Sequence, residues 1–323
     1  MNPQVSAITL AVRDIERAKE FYSQGLGCQI RQDEGGFVSL ELGEGSSTLA
    51  LYGWEALAED AGVAANSSGF RAFTLSYIVE HGEHVDAIMD KAQRAGAKIG
   101  KPARRAFWGG YSGYFSDPDG YLWKVGSTKR LTRGSGRERP EQAAQRPAVK
   151  PSETAVTLGV EDFKSVKKFY SEGLGCPIDK SFGSFATFKL GDDSSTLGLY
   201  KRKALAKDAG VSEDGTGFRG FTLSHTVFSN EQVDQLLAQA ASAGGKIAKP
   251  AQAAYGAATA ATSPIRTATS GRWQRPPDKT INRESQSGLS FGPTDDIGRS
   301  RSNGSLYRFG SGKRHDRDCG TAR

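Results

Sequence analysis

A chain of 323 residues with 37% hydrophobic content has room for two ordinary domains, and part of it is expected to lie outside any packed core. No apolar run approaches the ~18 residues of a membrane span, and the opening MNPQVSAITLAV lacks the basic and apolar regions of a signal, so a cytoplasmic protein with no membrane partner is expected. The formal charge of +7 excludes little by itself, because residues 127–151 carry a net +5, residues 255–323 a net +6 and the remainder −4. The basic excess sits in Gly/Ser/Pro-rich stretches typical of solvated linkers and tails, so no specific nucleic-acid partner is expected.

In chain order, residues 5–12 alternate Ile8, Leu10 and Val12 with Ala7, Thr9 and Ala11, the pattern of a half-buried strand. Asp14 caps a helix predicted over 15–25, with Ala18, Phe21 and Tyr22 on one face. Short strands are predicted near 28–33, 37–42 and 47–52, with glycine turns between them. The same β-α-β-β-β order then returns as a strand over 70–79, a helix over 83–95, and strands near 97–101, 112–116 and 121–126. Each copy of about 130 residues is thus a pair of βαβββ modules.

The copies themselves repeat. FYSQGLGC at Phe21 returns as FYSEGLGC at Phe169, TLALY at Thr48 as TLGLY at Thr196, and FRAFTLS at Phe70 as FRGFTLS at Phe218, each at an offset of 148 with no gap. Cys28 and Cys176 end the same Gly-Leu-Gly-Cys string and read as small buried thiols; with Cys319 they form no disulfide framework and have no metal spacing.

The strings TLAVRDIERAKEFYSQGLG, TLGVEDFKSVKKFYSEGLG and WGGYSGYFSDPDGYLWKV resemble the vicinal oxygen chelate superfamily of glyoxalase I, bleomycin-resistance proteins and extradiol dioxygenases, over residues 5–128 and 153–252. The resemblance implies an α+β fold in which two βαβββ modules curl their sheets around a ligand cavity. The expected organisation is a first domain at 1–128, a basic linker at 129–152, a second domain at 153–254 lacking its last strands, and a tail at 255–323. Metal enzymes of the superfamily draw ligands from four places, and here those places hold Ala7, Ala50, Thr74 and Lys124, with Ala155, Gly198 and Thr222 in the second copy. Ala, Gly and Thr offer no strong ligand and Lys brings like charge, so no metal and no cofactor is expected. His81 and His84 are expected in solvent, and His225, matched by Tyr77, in a core or pocket.

Strand parity places Thr9, Ala11, Phe37, Ser39, Glu41, Thr48 and Tyr52, and from the second module Thr74, Ser76 and Lys124, on the concave side. With Trp108, Tyr111 and Tyr114 they make the candidate ligand-binding set Phe37, Glu41, Tyr52, Trp108, Tyr111, Tyr114 and Lys124, suited to a small planar or amphipathic ligand. The alternative is that Trp108, Tyr111, Tyr114 and Trp123 fill a core or a dimer seam. Lys124 reads as an ion-pair partner of Glu41 or a solvated amine more readily than as a nucleophile or base.

The functional readings are therefore a metal-independent small-molecule-binding protein, a lactoylglutathione-lyase-type isomerase with catalytic residues unknown, and a second copy that serves only as a structural partner in an intramolecular pseudo-dimer. A homodimer is the other possible assembly.

After Pro250 the repeat stops. One legal set of codons for Tyr255 to Trp273, read from the third base of the first, gives WGGYSGYFADPDGHLWKV, against WGGYSGYFSDPDGYLWKV from Trp108. Loss of one nucleotide between the codons of Pro250 and Tyr255 would produce this, so the tail is expected to be an out-of-frame, disordered translation.

Overall fold

The computed structural model describes residues 3–105, 110–127, 151–254, 258–262, 269–272 and 287–292. The first module runs β1 (Ala7–Val12), α1 (Ile15–Glu20, continued by a π turn at Phe21–Gly25), β2 (Gln29–Glu34), β3 (Phe37–Glu41) and β4 (Thr48–Gly53). Asp14 caps α1 by accepting from the Arg17 amide at 3.0 Å. A helix that the strand–helix pattern had not separated follows, α2 (Trp54–Asp60), then a short β5 (Ser67–Gly69). The second module runs β6 (Phe73–Val79), α3 (Gly82–Arg94), β7 (Lys98–Arg105), β8 (Tyr111–Ser116) and β9 (Leu122–Ser127).

The second copy repeats this as β10 (Glu153–Val160), α4 (Phe163–Lys168, with a π turn at Phe169–Gly173), β11 (Ile178–Phe182), β12 (Phe185–Phe188), β13 (Thr196–Lys201), α5 (Arg202–Ala209), β14 (Gly215–Gly217), β15 (Phe221–Val227), α6 (Asn230–Ser242) and β16 (Lys249–Ala254). Three more strands follow: β17 (Ala258–Thr262), β18 (Thr269–Arg272) and β19 (Ser287–Gly292).

These strands are not arranged as in the first copy. In the first copy β9 lies beside β6 and runs parallel to it. In the second copy β15 pairs instead with β19, antiparallel, and β18 lies beyond β19. The linker and the tail between and beyond these strands lie outside the described residues.

The modules do not close copy by copy. β1 of the first copy pairs antiparallel with β15 of the second, and β10 of the second pairs antiparallel with β6 of the first. One sheet has the order β11-β12-β13-β10-β6-β9-β8-β7, and the other β16-β17-β18-β19-β15-β1-β4-β3-β2. Each curved sheet thus joins the first module of one copy to the second module of the other.

Residues 148 apart meet one another. The Ser47 and Ser195 amides each donate to the other's hydroxyl (3.2 and 2.9 Å), Ser68 and Thr216 hydroxyls lie 3.1 Å apart, and the Phe73 and Phe221 rings stack at 3.7 Å. Such self-contacts mark a pseudo-two-fold axis, so the tandem is an intramolecular pseudo-dimer in geometry.

Strand alternation divides the two faces of each sheet. Ile8, Leu10, Leu49, Leu51, Leu75, Trp123, Val125, Val156, Leu158 and Leu199 join the helices in one continuous buried core. Trp123 belongs to it entirely, packed between Tyr22 (5.8 Å) and Tyr77 (4.7 Å). For this residue the core-filling alternative holds. The opposite, concave faces carry Thr9, Ser39, Thr74 and Ser76, which are themselves buried, and Ala11, which packs in a second cluster with Trp54 and Phe218.

Candidate functional site

The exchange of modules splits the candidate residues. Phe37, Glu41 and Tyr52 stand on β3 and β4 of the nine-stranded sheet, whereas Tyr111, Tyr114 and Lys124 stand on β8 and β9 of the eight-stranded one. The expected Lys124–Glu41 pair does not form, because the two lie on different sheets. Glu41 instead pairs with Arg31 at 3.1 Å, across the β2–β3 hairpin. Trp108 lies outside the described residues. Tyr111 donates to Asp86 on α3 at 2.7 Å, which holds it at the sheet margin.

Lys124 and Tyr114 are directly opposed on neighbouring strands, and Ser76 is in register with Lys124 and with Ala155. Across the axis, Thr157 is opposite Thr74, Gly198 lies beside Thr157, and Phe185 faces Tyr200, their rings 5.6 Å apart. The concave surface therefore combines hydroxyls, two aromatic groups from the second copy and one lysine from the first.

Its centre is a residue the sequence reading missed. Asp208, on α5 of the second copy, receives Lys124 Nζ at 2.7 Å and the Tyr114 hydroxyl at 2.5 Å. Lys101 Nζ donates to the Asp208 carbonyl oxygen at 2.6 Å. Burial pushes the Asp208 carboxyl up, but the Lys124 charge and the hydrogen bonds from Lys124 and Tyr114 outweigh it and hold the group below its ordinary value. Burial, then the Asp208 charge, raises the Tyr114 phenol, which stays a donor. The repeat was the available signal: Phe185, Tyr200 and Asp208 are the 148-offset counterparts of Phe37, Tyr52 and Asp60.

The nine-stranded sheet holds half of the same arrangement. Phe37 and Tyr52 form the twin aromatic pair at 6.3 Å, and Lys249 Nζ donates to the Asp60 carbonyl oxygen at 3.4 Å. The position equivalent to Lys124 is Arg272, on β18, a strand separated from β15 by β19.

The superfamily's four metal positions can be tested on the eight-stranded sheet, where they are Ala155, Gly198, Thr74 and Lys124. A Cβ at Gly198 would lie 2.9 Å from Thr157 Oγ1, so that position has no room for a carboxylate without displacing Thr157. Lys124 presents an ammonium already bound to a carboxylate. The residues present do not fit a divalent cation. Among the described residues no group of three or more His, Cys, Asp or Glu side chains clusters as a metal site.

The remaining chemistry-bearing residues are placed as follows. Cys28 and Cys176 are buried thiols raised by desolvation, Cys176 to about 12. His81 and His84 meet edge to face at 5.5 Å, His81 about half exposed. His225 is buried on β15, and burial pulls it down to about 4.

A family model, Glyoxalase/Bleomycin resistance protein/Dioxygenase superfamily, matches residues 4–125 and 154–268. Among solved structures, glyoxalase I from Zea mays is similar over 80% of this chain and 88% of its own, at 17% identity and a TM-score of 0.50. A glyoxalase-related enzyme from Fulvimarina pelagi is 30% identical over 39% of this chain and 88% of its own, with a TM-score of 0.36. A glyoxalase/bleomycin resistance protein/dioxygenase family enzyme from Burkholderia phytofirmans is 25% identical over 39% of this chain and 100% of its own, with a TM-score of 0.35. No curated protein matches significantly. No helix among the described residues is long and apolar enough to cross a membrane.

Proposed function

The chain belongs to the Glyoxalase/Bleomycin resistance protein/Dioxygenase superfamily, and on that premise we propose that it is a metal-independent small-molecule-binding protein whose ligand occupies the concave face of the eight-stranded sheet. One observation carries the reading: the positions where metal enzymes of the superfamily hold their cation are Ala155, Gly198, Thr74 and Lys124, and Lys124 is neutralised by Asp208. Carbonyl polarisation by a metal and proton transfer by a metal-bound carboxylate have no side chains here to perform them.

What remains suits binding. Phe185 and Tyr200 offer aromatic walls; Thr74, Ser76 and Thr157 offer hydroxyls; Lys101, Lys124 and Tyr114 present donors that now converge on Asp208. A ligand carboxylate or carbonyl group that takes over part of the Asp208 contacts would be held by the same donors. Metal analysis of the purified chain with a methylglyoxal–glutathione turnover assay tests this. The expected result is no stoichiometric metal and no turnover; stoichiometric Zn or Ni with turnover would overturn it.

We infer also that residues from about 255 onward are an out-of-frame reading of a second WGGYSGYF-DPDG-LWKV segment. The support is the match at 16 of 18 residues in the shifted frame, together with the break in strand order after β16. Sequencing the transcript between the codons for Pro250 and Tyr255 decides it: a restored base is expected, and an intact frame encoding the present tail would refute it.

A further inference from the structure

A cavity of about 170 Å³ lies on the core side of the second copy, lined in part by Tyr170, Cys176, Leu197, Leu223, His225 and Leu236. The 148-residue offset carries these to Tyr22, Cys28, Leu49, Leu75, Tyr77 and Ile88. In the first copy those side chains surround Trp123: Leu75 is in register with it, Tyr77 and Tyr22 pack their rings on it, and its indole N–H donates to the Tyr22 hydroxyl at 3.1 Å. The equivalent position, 271, is glycine, on a strand that is not adjacent to β15.

The second copy thus keeps the socket of a tryptophan it does not have. The Tyr22 hydroxyl donates to Asp117 and accepts from Trp123. Its counterpart, the fully buried Tyr170 hydroxyl, has no hydrogen-bond partner among the described residues and stands in the cavity wall. A buried hydroxyl left unpaired is destabilising, and a ligand donor that pairs with it relieves that cost. A mostly apolar cavity of roughly 150 Å³ is large enough to take a benzene-sized ring.

We propose that this cavity is a binding site for a flat heteroaromatic of the indole class, its ring seated against Leu223 and His225 and its N–H donated to the Tyr170 hydroxyl. The site is distinct from the concave face of the eight-stranded sheet and its lining lies within residues 3–239; it belongs to the chain with glycine at 271, since the in-frame segment would return a tryptophan to that position and fill the socket.

The test titrates the full chain with indole, and with indene as the ring lacking N–H, by calorimetry and thermal shift. Indole is expected to bind and to raise Tm, more tightly than indene. Tyr170→Phe is expected to lower indole affinity about 3–10-fold, the loss of one hydrogen bond, and to leave indene unchanged. Leu223→Trp, which puts an indole into the socket from the neighbouring strand, is expected to abolish binding of both. If that variant fails to fold, the Tyr170→Phe discrimination still decides. No binding at millimolar indole, or indole binding that Tyr170→Phe leaves as it was, would overturn the proposal.

Discussion

The two sheets are built from the same parts and end differently. The eight-stranded sheet is completed by β9, parallel to β6, which brings Trp123 to the core side and Lys124 to the concave side of one strand. The nine-stranded sheet receives β19 at that place, antiparallel to β15. The consequences are paired. Tyr22 has two hydrogen-bond partners and Tyr170 none among the described residues, while Asp208 binds Lys124 and Tyr114. One strand with alternating faces therefore finishes both a core and a site, and its replacement alters both together.

The largest difference is expected from truncating the tryptophan that only the first copy has. Trp123→Ala should cost about 3–5 kcal/mol in denaturant unfolding, since the ring is fully buried. A loss below about 1 kcal/mol would show that the core does not depend on it.

Next comes pH. Burial holds His225 at about 4, while the unfolded chain titrates near the ordinary 6.5. The unfolded state then binds the proton more readily, so stability is full above about pH 6.5 and falls as pH drops towards 4, by about 3 kcal/mol in all. His225→Tyr, which installs the first copy's residue, should flatten that part of the pH–stability curve. An unchanged slope would assign the acid sensitivity elsewhere.

A smaller effect is expected at the site. Asp208→Asn should cost about 1–2 kcal/mol in denaturant unfolding by unpairing Lys124, and a negligible loss would show that the pair does not contribute. The same substitution at equivalent tyrosines should differ in sign. Tyr22→Phe should destabilise by about 1–3 kcal/mol, whereas Tyr170→Phe should be neutral or slightly stabilising, because it removes a hydroxyl with no partner.

Much of this was legible in the sequence. The repeat offset, the module order and the Asp14 cap are local signals, and each reappears in the structure; β1, expected to be half-buried, is instead buried on both faces from Ile8 to Val12. The burial of Cys28 and Cys176 followed from their strings, whereas Trp123 was left between a core, a dimer seam and the pocket. What was not legible is which edge pairs with which. β1 could close on β6 or on β15, since FTLSY and FTLSH present nearly the same edge, and nothing local distinguishes them. That choice separated Glu41 from Lys124 and brought Asp208 to the lysine instead. Asp208 also escaped because α2 and α5 are short helices of seven and eight residues that read as loop extensions of the preceding strands.

The candidate site is assembled where the two copies cross, and that arrangement can be tested covalently. Thr74 on β6 and Thr157 on β10 are directly opposed antiparallel partners, and such pairs hold their Cβ atoms about 4.5–5.5 Å apart, within reach of a disulfide after slight adjustment. The full chain carrying Thr74→Cys and Thr157→Cys, with a specific protease site inserted in the linker, should be oxidised and then cleaved. A single band on a non-reducing gel, at monomer mass and split by reductant, is predicted. Two separate fragments under non-reducing conditions would contradict the exchanged arrangement and the composite site built on it.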